Sequence, residues 1–506
     1  MTRSRPIAAS SPLDRLIACG APDAEALVAP EGSYSYAALD VLVSRVAGGL
    51  LAAGVRPGDR VASWIGKTLA AAVLPFACWR AGLVHVPVNP ALKAPQVAHI
   101  LADSGAVLLI TGRARLESLE PMAGVKRLCL EEDWTDLADH APAAPASPDA
   151  DALAALLYTS GSTGRPKGVM VSHANLWLGA EAVADYLRLS PRSRVLALLP
   201  LSFDYGLSQL LSTLHAGGTV ILHDYALPQH AVRAIARHRV TGLAGVPPLW
   251  TQLLEIDWPD EARLSLEHVT NSGGHLPEPM VKRMTALFPN ARLYLMYGLT
   301  EAFRSTYLDP DLVAQRPGSI GKAIPHAEIL VVRPDGSLTD DGERGELVHC
   351  GPLVAQGYWN DPVRTAERFR PAPPASVYGG TAVWSGDIAV RDKDGFLSFV
   401  GRNDEMIKTA GNRVSPTEVE EAALATGAVR ECAAFGVPDA RLGQAILLVA
   451  SPAAGMAEAE AETALGKGLR QALPNFMVPA HVMWRDALPR TPNGKIDRAR
   501  LRAELV

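Results

Sequence analysis

Short apolar runs alternate along the chain with longer stretches in which apolar residues recur every three to four positions. Near the start, Leu39, Leu42, Val43, Val46 and Leu50 follow helical spacing behind Ser35, a favoured N-cap, and Gly54 and Pro57 close the segment. "RVASWI" (60–65) then reads as a strand, "KTLAAAVLPFACWRAG" as a helix and "VHVPV" (84–88) as a strand. The same alternation returns in "VLALLP" (195–200), a helix through "GLSQLLSTLHAGG", and "TVILH" (219–223). Strands alternating with helices predict parallel sheets covered by helices. Between the two units, the Ala- and Pro-rich "HAPAAPASPDADA" (140–152) reads as a surface connector. From about residue 325 to 400, "HAEILVVRPDGS", "GELVHCG" and "DIAVRDKDGFLSFVG" read as short strands with Asp-Gly turns. Further on, Ser415, Pro416 and Glu418 carry the elements of a capping box and open a small α+β domain. The expected fold class is therefore α/β. A large N-terminal domain over 1–403 would combine two parallel-sheet α/β subdomains with a β-rich subdomain, followed by a small mobile α+β C-terminal domain over 404–506.

Length supports this division, since 506 residues exceed one ordinary core. The balance of 48 Lys+Arg against 53 Asp+Glu, a formal net charge of −5, lacks the basic excess of nucleic-acid binders. Cys19, Cys78, Cys129, Cys350 and Cys432 are scattered without Cys-x-x-Cys spacing, as expected of reduced thiols in a cytoplasmic protein. The N-terminus has no signal-peptide core, and the longest apolar run, "LAAAVLPFACW" (69–79), is about half a membrane span. The expectation is a cytoplasmic protein with no nucleic-acid partner and no membrane span; the oligomeric state stays open.

One stretch interrupts two apolar runs with hydroxyls, glycines and a lysine: "LLYTSGSTGRPKGVMVSH" (156–173). A surface hairpin uses the same residue types. So does an anion cradle, in which glycines let backbone N–H groups approach a phosphate while hydroxyls and an ammonium add donors. The spacing of Gly161, Lys167 and Gly168 is not that of a Walker A loop. What a nucleotide site would still lack follows in order along the chain. "YGLTE" (297–301) adds a hydroxyl and a carboxylate, and "SGDIA" (385–389) adds Asp387. "GRNDEMIKTAGNRVSPTEVE" (401–420) adds Arg402, Asp404 and Lys408, and "PRTPNGKIDR" (489–498) adds Lys495.

Together these motifs resemble the adenylate-forming superfamily of acyl-CoA synthetases, nonribosomal peptide synthetase adenylation domains and luciferases, over roughly residues 30 to 500. The resemblance implies a two-step reaction: a carboxylate and ATP give acyl-AMP and pyrophosphate, and a thiol of CoA or phosphopantetheine then takes the acyl group. Carboxylate attack on the α-phosphate brings two anions together, so preorganised donors are the main catalytic need. Lys495 is placed by the resemblance across carboxylate and α-phosphate, with Thr300 on the α-phosphate. Thr159, Ser160, Gly161, Ser162, Thr163, Gly164 and Lys167 would cradle the departing phosphates. Glu301 is the candidate Mg²⁺ ligand, because Mg²⁺ commonly takes one or two carboxylates plus phosphate oxygens. Asp387 would accept from both ribose hydroxyls, Arg402 would donate to ribose or phosphate, and Gly273, Gly274, Tyr297 and Gly298 would line the ATP site. Asp404 matches the hinge, while Lys408 and Gly411 belong to the loop that faces the thiol tunnel.

The acid pocket implied by the resemblance includes Phe203, Asp204, Gly273, His275 and Leu299. His275 stands where a small residue is commoner, and a packed histidine fits equally. "LPLSFDYGLSQ" (199–209) has Phe-Asp where simple acyl-CoA synthetases tend to show histidine and amino-acid-activating relatives show Phe-Asp. Asp204 either pairs with a substrate ammonium or caps the helix starting at Tyr205. The expectation leans to an amino acid, with a short or medium-chain fatty or aryl acid as alternative. No carrier-protein segment follows Val506 in the sequence, so a carrier protein or CoA would act in trans. The finer likeness of "LMYGLTEAFRSTYL" (295–308) is to stand-alone ligases, among them exosortase-associated acyl-CoA ligases and those loading amino acids onto carrier proteins. A nonenzymatic relative would be expected to lack Lys495 or Glu301; a luciferase-like oxygenase would keep every adenylation motif.

Overall fold

The computed structural model describes residues 12–159, 166–274, 276, 278–402, 406–453, 455–489 and 496–505. A first sheet has the order Lys126–Cys129, Leu108–Thr111, Arg60–Trp64, Val84–Pro87, Leu153–Thr159, Lys167–Ser172. All neighbours are parallel except the last pair, an antiparallel hairpin. Helix Tyr36–Ala52 begins where expected, with the Ser35 hydroxyl accepting from the Ala38 N–H, and packs on helix Leu69–Arg80. Every residue of that second helix but Ala71 is buried, including Pro75, which is why its sequence shows no polar face.

The second sheet holds the other parallel unit, with Thr219–Leu222, Arg194–Ala197, Gly242–Gly245, His268–Asn271 and Arg292–Tyr297 side by side. The expected β-rich subdomain is joined edge to edge to this parallel unit. Strands Thr306–Leu308 and Ser319–Ala323 continue from Arg292–Tyr297 in antiparallel register and join it to Leu397–Arg402, Thr381–Arg391, Arg344–Cys350 and Glu328–Val332. The whole is one 14-stranded sheet. An open edge on the last parallel strand leaves backbone donors and acceptors unpaired, and the β-rich segment satisfies them.

The connector at 140–152 holds no helix or strand among residues 141–149, yet it is pinned. Ala143 donates its N–H to Ser44 and Ala146 to Arg80, along the helix pair. The C-terminal part has its own sheet, Asn412–Val414, Ile407–Thr409, Gly443–Pro452 and Val429–Asp439, with His481–Trp484 added. Its own core gathers Val419, Ile446, Leu448 and Leu465 under helices Pro416–Ala425 and Glu458–Ala472. The capping box there is half formed. Ser415 accepts from the Glu418 N–H at 3.4 Å, while the Glu418 carboxyl turns to Gln96 of the N-terminal domain. Among the described residues, no helix is long and apolar enough to cross a membrane.

Candidate active site

The hydroxyl-rich stretch is both a hairpin and a possible cradle, for strands Leu153–Thr159 and Lys167–Ser172 pair with Thr159 opposite Lys167. Ser160, Gly161, Ser162, Thr163 and Gly164 lie outside the described residues, as do His275, Asp404 and Lys495 and the side chain of Arg402. Lys167 reaches away from its strand to donate to the Tyr358 hydroxyl at 2.6 Å, with its ammonium 3.8 Å from the centre of that ring. The Tyr358 hydroxyl in turn donates to Glu301 Oε1 at 2.7 Å, and Lys167 stands 3.7 Å from the same oxygen.

Burial shapes the charges of this trio. It pulls the Lys167 ammonium down to about 8 against the pull of Glu301, because a charged amine loses its hydration there. Burial alone would raise Glu301, but Lys167, Arg413 and Arg368 outweigh it and hold the carboxyl at about 2. The carboxylate is thus ionised at neutral pH. Its second oxygen, Oε2, is buried with no hydrogen-bond partner among the described residues. No group of three or more His, Cys, Asp or Glu able to hold a metal ion occurs among them. One free carboxylate oxygen beside the Thr159–Lys167 hairpin end fits Mg²⁺, which takes few protein ligands and completes its shell with substrate oxygens and water.

Thr300 and Glu301 lie in a short 3₁₀ turn directly after strand Arg292–Tyr297, whose last hydroxyl, on Tyr297, donates to Asp387 at 2.5 Å. Asp387 is in register with Arg402 on the next strand, so the two candidate ribose residues are brought together. A cavity of about 390 Å³ opens at this point, walled by Thr159, Gly273, Gly274, Tyr297, Gly298, Leu299, Thr300, Asp387, Phe203 and Asp204. The Asn271 amide donates to the Gly274 carbonyl at 2.9 Å and holds the glycine turn in the wall. From the C-terminal domain come Lys408, Gly411, Arg413 and Glu418, which line the same cavity. The hairpin of Ile407–Thr409 and Asn412–Val414 carries the first three and helix Pro416–Ala425 carries Glu418, and Lys408 lies 5.0 Å from the Phe399 ring centre.

Three features were not foreseen from sequence. Tyr358 bridges Lys167 and Glu301. Asp204 is not the helix N-cap: it is the first residue of helix Asp204–His215, and Phe203 precedes it as cap. Its carboxylate is met by Arg304 at 3.4 Å, and both side chains are buried. The third is a second cavity of about 340 Å³, which shares Pro87, Leu199, Pro200, Ser202, Val246 and Ala410 with the first. Lys67 and Asp224 stand in its wall, and burial lowers the Lys67 ammonium to about 7. Arg304 lies in the quoted "LTEAFRS", where a lone arginine among apolar and small residues was the available signal.

Fold and site define an ATP-dependent, AMP-forming acid–thiol ligase, and similarity to known proteins agrees. The AMP-binding enzyme family matches residues 17–359 and the AMP-binding enzyme C-terminal domain matches 418–495. The chain belongs to this family. It is 36% identical over 477 residues to a feruloyl-CoA synthase of Amycolatopsis sp, covering 93% of this chain and 94% of that protein. It is 30% identical to an L-proline–[L-prolyl-carrier protein] ligase of Pseudomonas fluorescens, over 94% and 95% of the two chains. Among solved structures, the o-succinylbenzoate CoA synthetase of Bacillus subtilis bound with a product analogue superimposes with a TM-score of 0.85 at 26% identity, over 97% and 98% of the chains. The same enzyme with its acyl-adenylate intermediate superimposes with a TM-score of only 0.70.

Proposed function

We propose that this ligase activates an acyl or aryl acid rather than an amino acid, and passes it to the thiol of CoA or of a phosphopantetheinyl carrier. The observation that carries the choice of acid is the buried Asp204–Arg304 pair. An aspartate already neutralised by an arginine is poorly placed to reward a substrate ammonium, since the pair must be broken or shared. The feruloyl-CoA synthase likeness points the same way. The carrier-ligase likeness keeps an amino acid as the second reading.

In the first step ATP would lie with its ribose at Asp387 and Arg402, its α-phosphate at Thr300 and its outer phosphates at Lys167 and the loop 160–164. Glu301 would hold Mg²⁺, whose chemistry there is to neutralise phosphate charge. Lys495 would bridge carboxylate and α-phosphate. In the second step the hairpin carrying Lys408 and Gly411 closes over the site, and the second cavity admits the thiol arm. The better match to the product-analogue complex supports reading this arrangement as the thiol-transfer state. Exchange of parts between the two steps requires a division near residues 403 and 404, with Asp404 as hinge.

ATP–pyrophosphate exchange across amino acids, fatty acids and aryl acids tests the proposal without an acceptor. An acyl or aryl acid should support exchange, and Lys495→Ala should abolish it while leaving thioester formation from supplied acyl-AMP largely intact. Exchange confined to one amino acid and lost in Asp204→Ala would establish the second reading instead.

A further inference from the structure

The second cavity reaches the surface beside Asp224 and Tyr225, and the chain there runs directly into helix Pro228–His238. Asp224 is exposed, and Tyr225 fixes the rim by donating its hydroxyl to Gln252 at 2.9 Å. Ala231, Val232 and Ile235 bury one side of the helix. The other side presents His230, Arg233 and Arg237, all exposed, at the i, i+3 and i+7 spacing that forms one face, and exposed Arg239 follows at the cap. The helix contains no acidic residue. Leu227, 52% exposed, lies in the chain between the cavity rim and this basic row.

Among the described residues, none of these three arginines has an ion-pair partner. Asp260 and Glu261 stand on the short helix packed against this one, but Asp260 is taken by Arg263 at 2.7 Å. The helix dipole accounts for cations at the C-terminal end, Arg237 and Arg239; it gives no reason for His230 in the first turn or Arg233 in the middle. On a chain of net charge −5 this face is a local field of the opposite sign, and it attracts anions. From His230 to Arg237 the row runs about 10 Å along the helix axis. The phosphates of one nucleotide would occupy one or two of these groups, whereas an acidic protein surface can meet the whole row. Resting on the reading of this chain as an acid–thiol ligase whose second cavity admits the thiol arm, we infer that helix Pro228–His238 docks the acceptor, and that the acceptor is an acidic carrier protein. Its phosphopantetheine enters past Tyr225. The transfer itself is unchanged: the thiol sulfur bonds to the acyl carbon, the acyl–phosphate bond breaks, AMP leaves and the thiol proton is released.

Three acceptors separate the outcomes, each measured with the acid that best supports pyrophosphate exchange: uncharged pantetheine, CoA, and a phosphopantetheinylated acyl carrier protein of strong net negative charge. The carrier should give the highest kcat/KM, and that value should fall steeply as salt is raised while the value for pantetheine stays level. Arg233→Glu/Arg237→Glu should lower kcat/KM for the carrier about tenfold or more, and should leave exchange and transfer to pantetheine within about twofold. Arg233→Lys/Arg237→Lys keeps the charge and should keep most of the rate. A wild type that prefers CoA to the carrier overturns the inference. So does a carrier rate indifferent to salt and to charge reversal, and so does a charge reversal that slows CoA more than the carrier, which would assign the helix to the phosphates of CoA. Should the double variant fail to fold, the salt dependence of the wild type decides alone. If no acid supports exchange, the proposed function falls and this inference with it; exchange without an effect of charge reversal removes this inference only.

Discussion

Lys167 and Glu301 meet across 134 residues of chain because Tyr358, 191 residues from Lys167, lies between them and hydrogen-bonds to both. The motifs named the lysine and the carboxylate but not the tyrosine, since a hydroxyl that matters only through long-range contact leaves no local pattern. The pH behaviour follows from the lysine. Burial lowers Lys167 to about 8 in the free protein, so its cationic form is lost as pH rises through that value. The kcat/KM for ATP should therefore fall above about pH 8, and a profile flat to higher pH would show that this ammonium does not serve ATP. Tyr358→Phe leaves the carboxylate without its hydroxyl donor and should cost about 1–3 kcal/mol of stability, read as a lower denaturant midpoint at constant slope.

At the scale of elements, the hairpin Ile407–Thr409 and Asn412–Val414 decides what the C-terminal domain presents to the cavity. Its turn needs a left-handed residue at Gly411, where φ is +78°, and packs so closely that an added Cβ would stand 2.9 Å from Val246 Cγ2. Gly411→Ala should then hinder docking of the hairpin. We expect thioester formation to slow by about tenfold or more, the cost of roughly 1.4 kcal/mol, with pyrophosphate exchange retained. Equal loss in both half-reactions would show that the hairpin serves neither step selectively. Ser35 and Ser415 show how much of an element is legible locally, since both cap the helices that their sequences announce. Glu418 shows the limit. It has the right spacing to complete a capping box, but a neighbour from the other domain claims its carboxyl.

Across the whole molecule, contacts between the domains hold the present arrangement. Gln96 meets Glu418 and donates to the Ala472 carbonyl at 3.2 Å, and Arg441 pairs with Glu255 at 3.1 Å. Burial raises Glu418 from its ordinary 4.5 to about 7, against the opposing effect of the Gln96 hydrogen bond. This arrangement therefore binds a proton that a separated Glu418 would release. The proton's contribution is fully present below the ordinary value and is lost as pH rises through about 7. The population of this arrangement, followed by energy transfer between dyes on the two domains, should fall between about pH 4.5 and pH 7, and Glu418→Gln should flatten the response. A wild-type signal that does not move would remove Glu418 from the balance. The sequence by itself determined the alternation of strands and helices, the two-part organisation and the order of the candidate nucleotide motifs, because periodicity, caps and short loops are local properties. Only the tertiary structure decided that the β-rich segment extends the second sheet, that Asp204 is neutralised by Arg304, and that Tyr358 joins Lys167 to Glu301. Each of these depends on which distant residue can fill a bare sheet edge or compensate a buried charge, and no local pattern encodes such a choice.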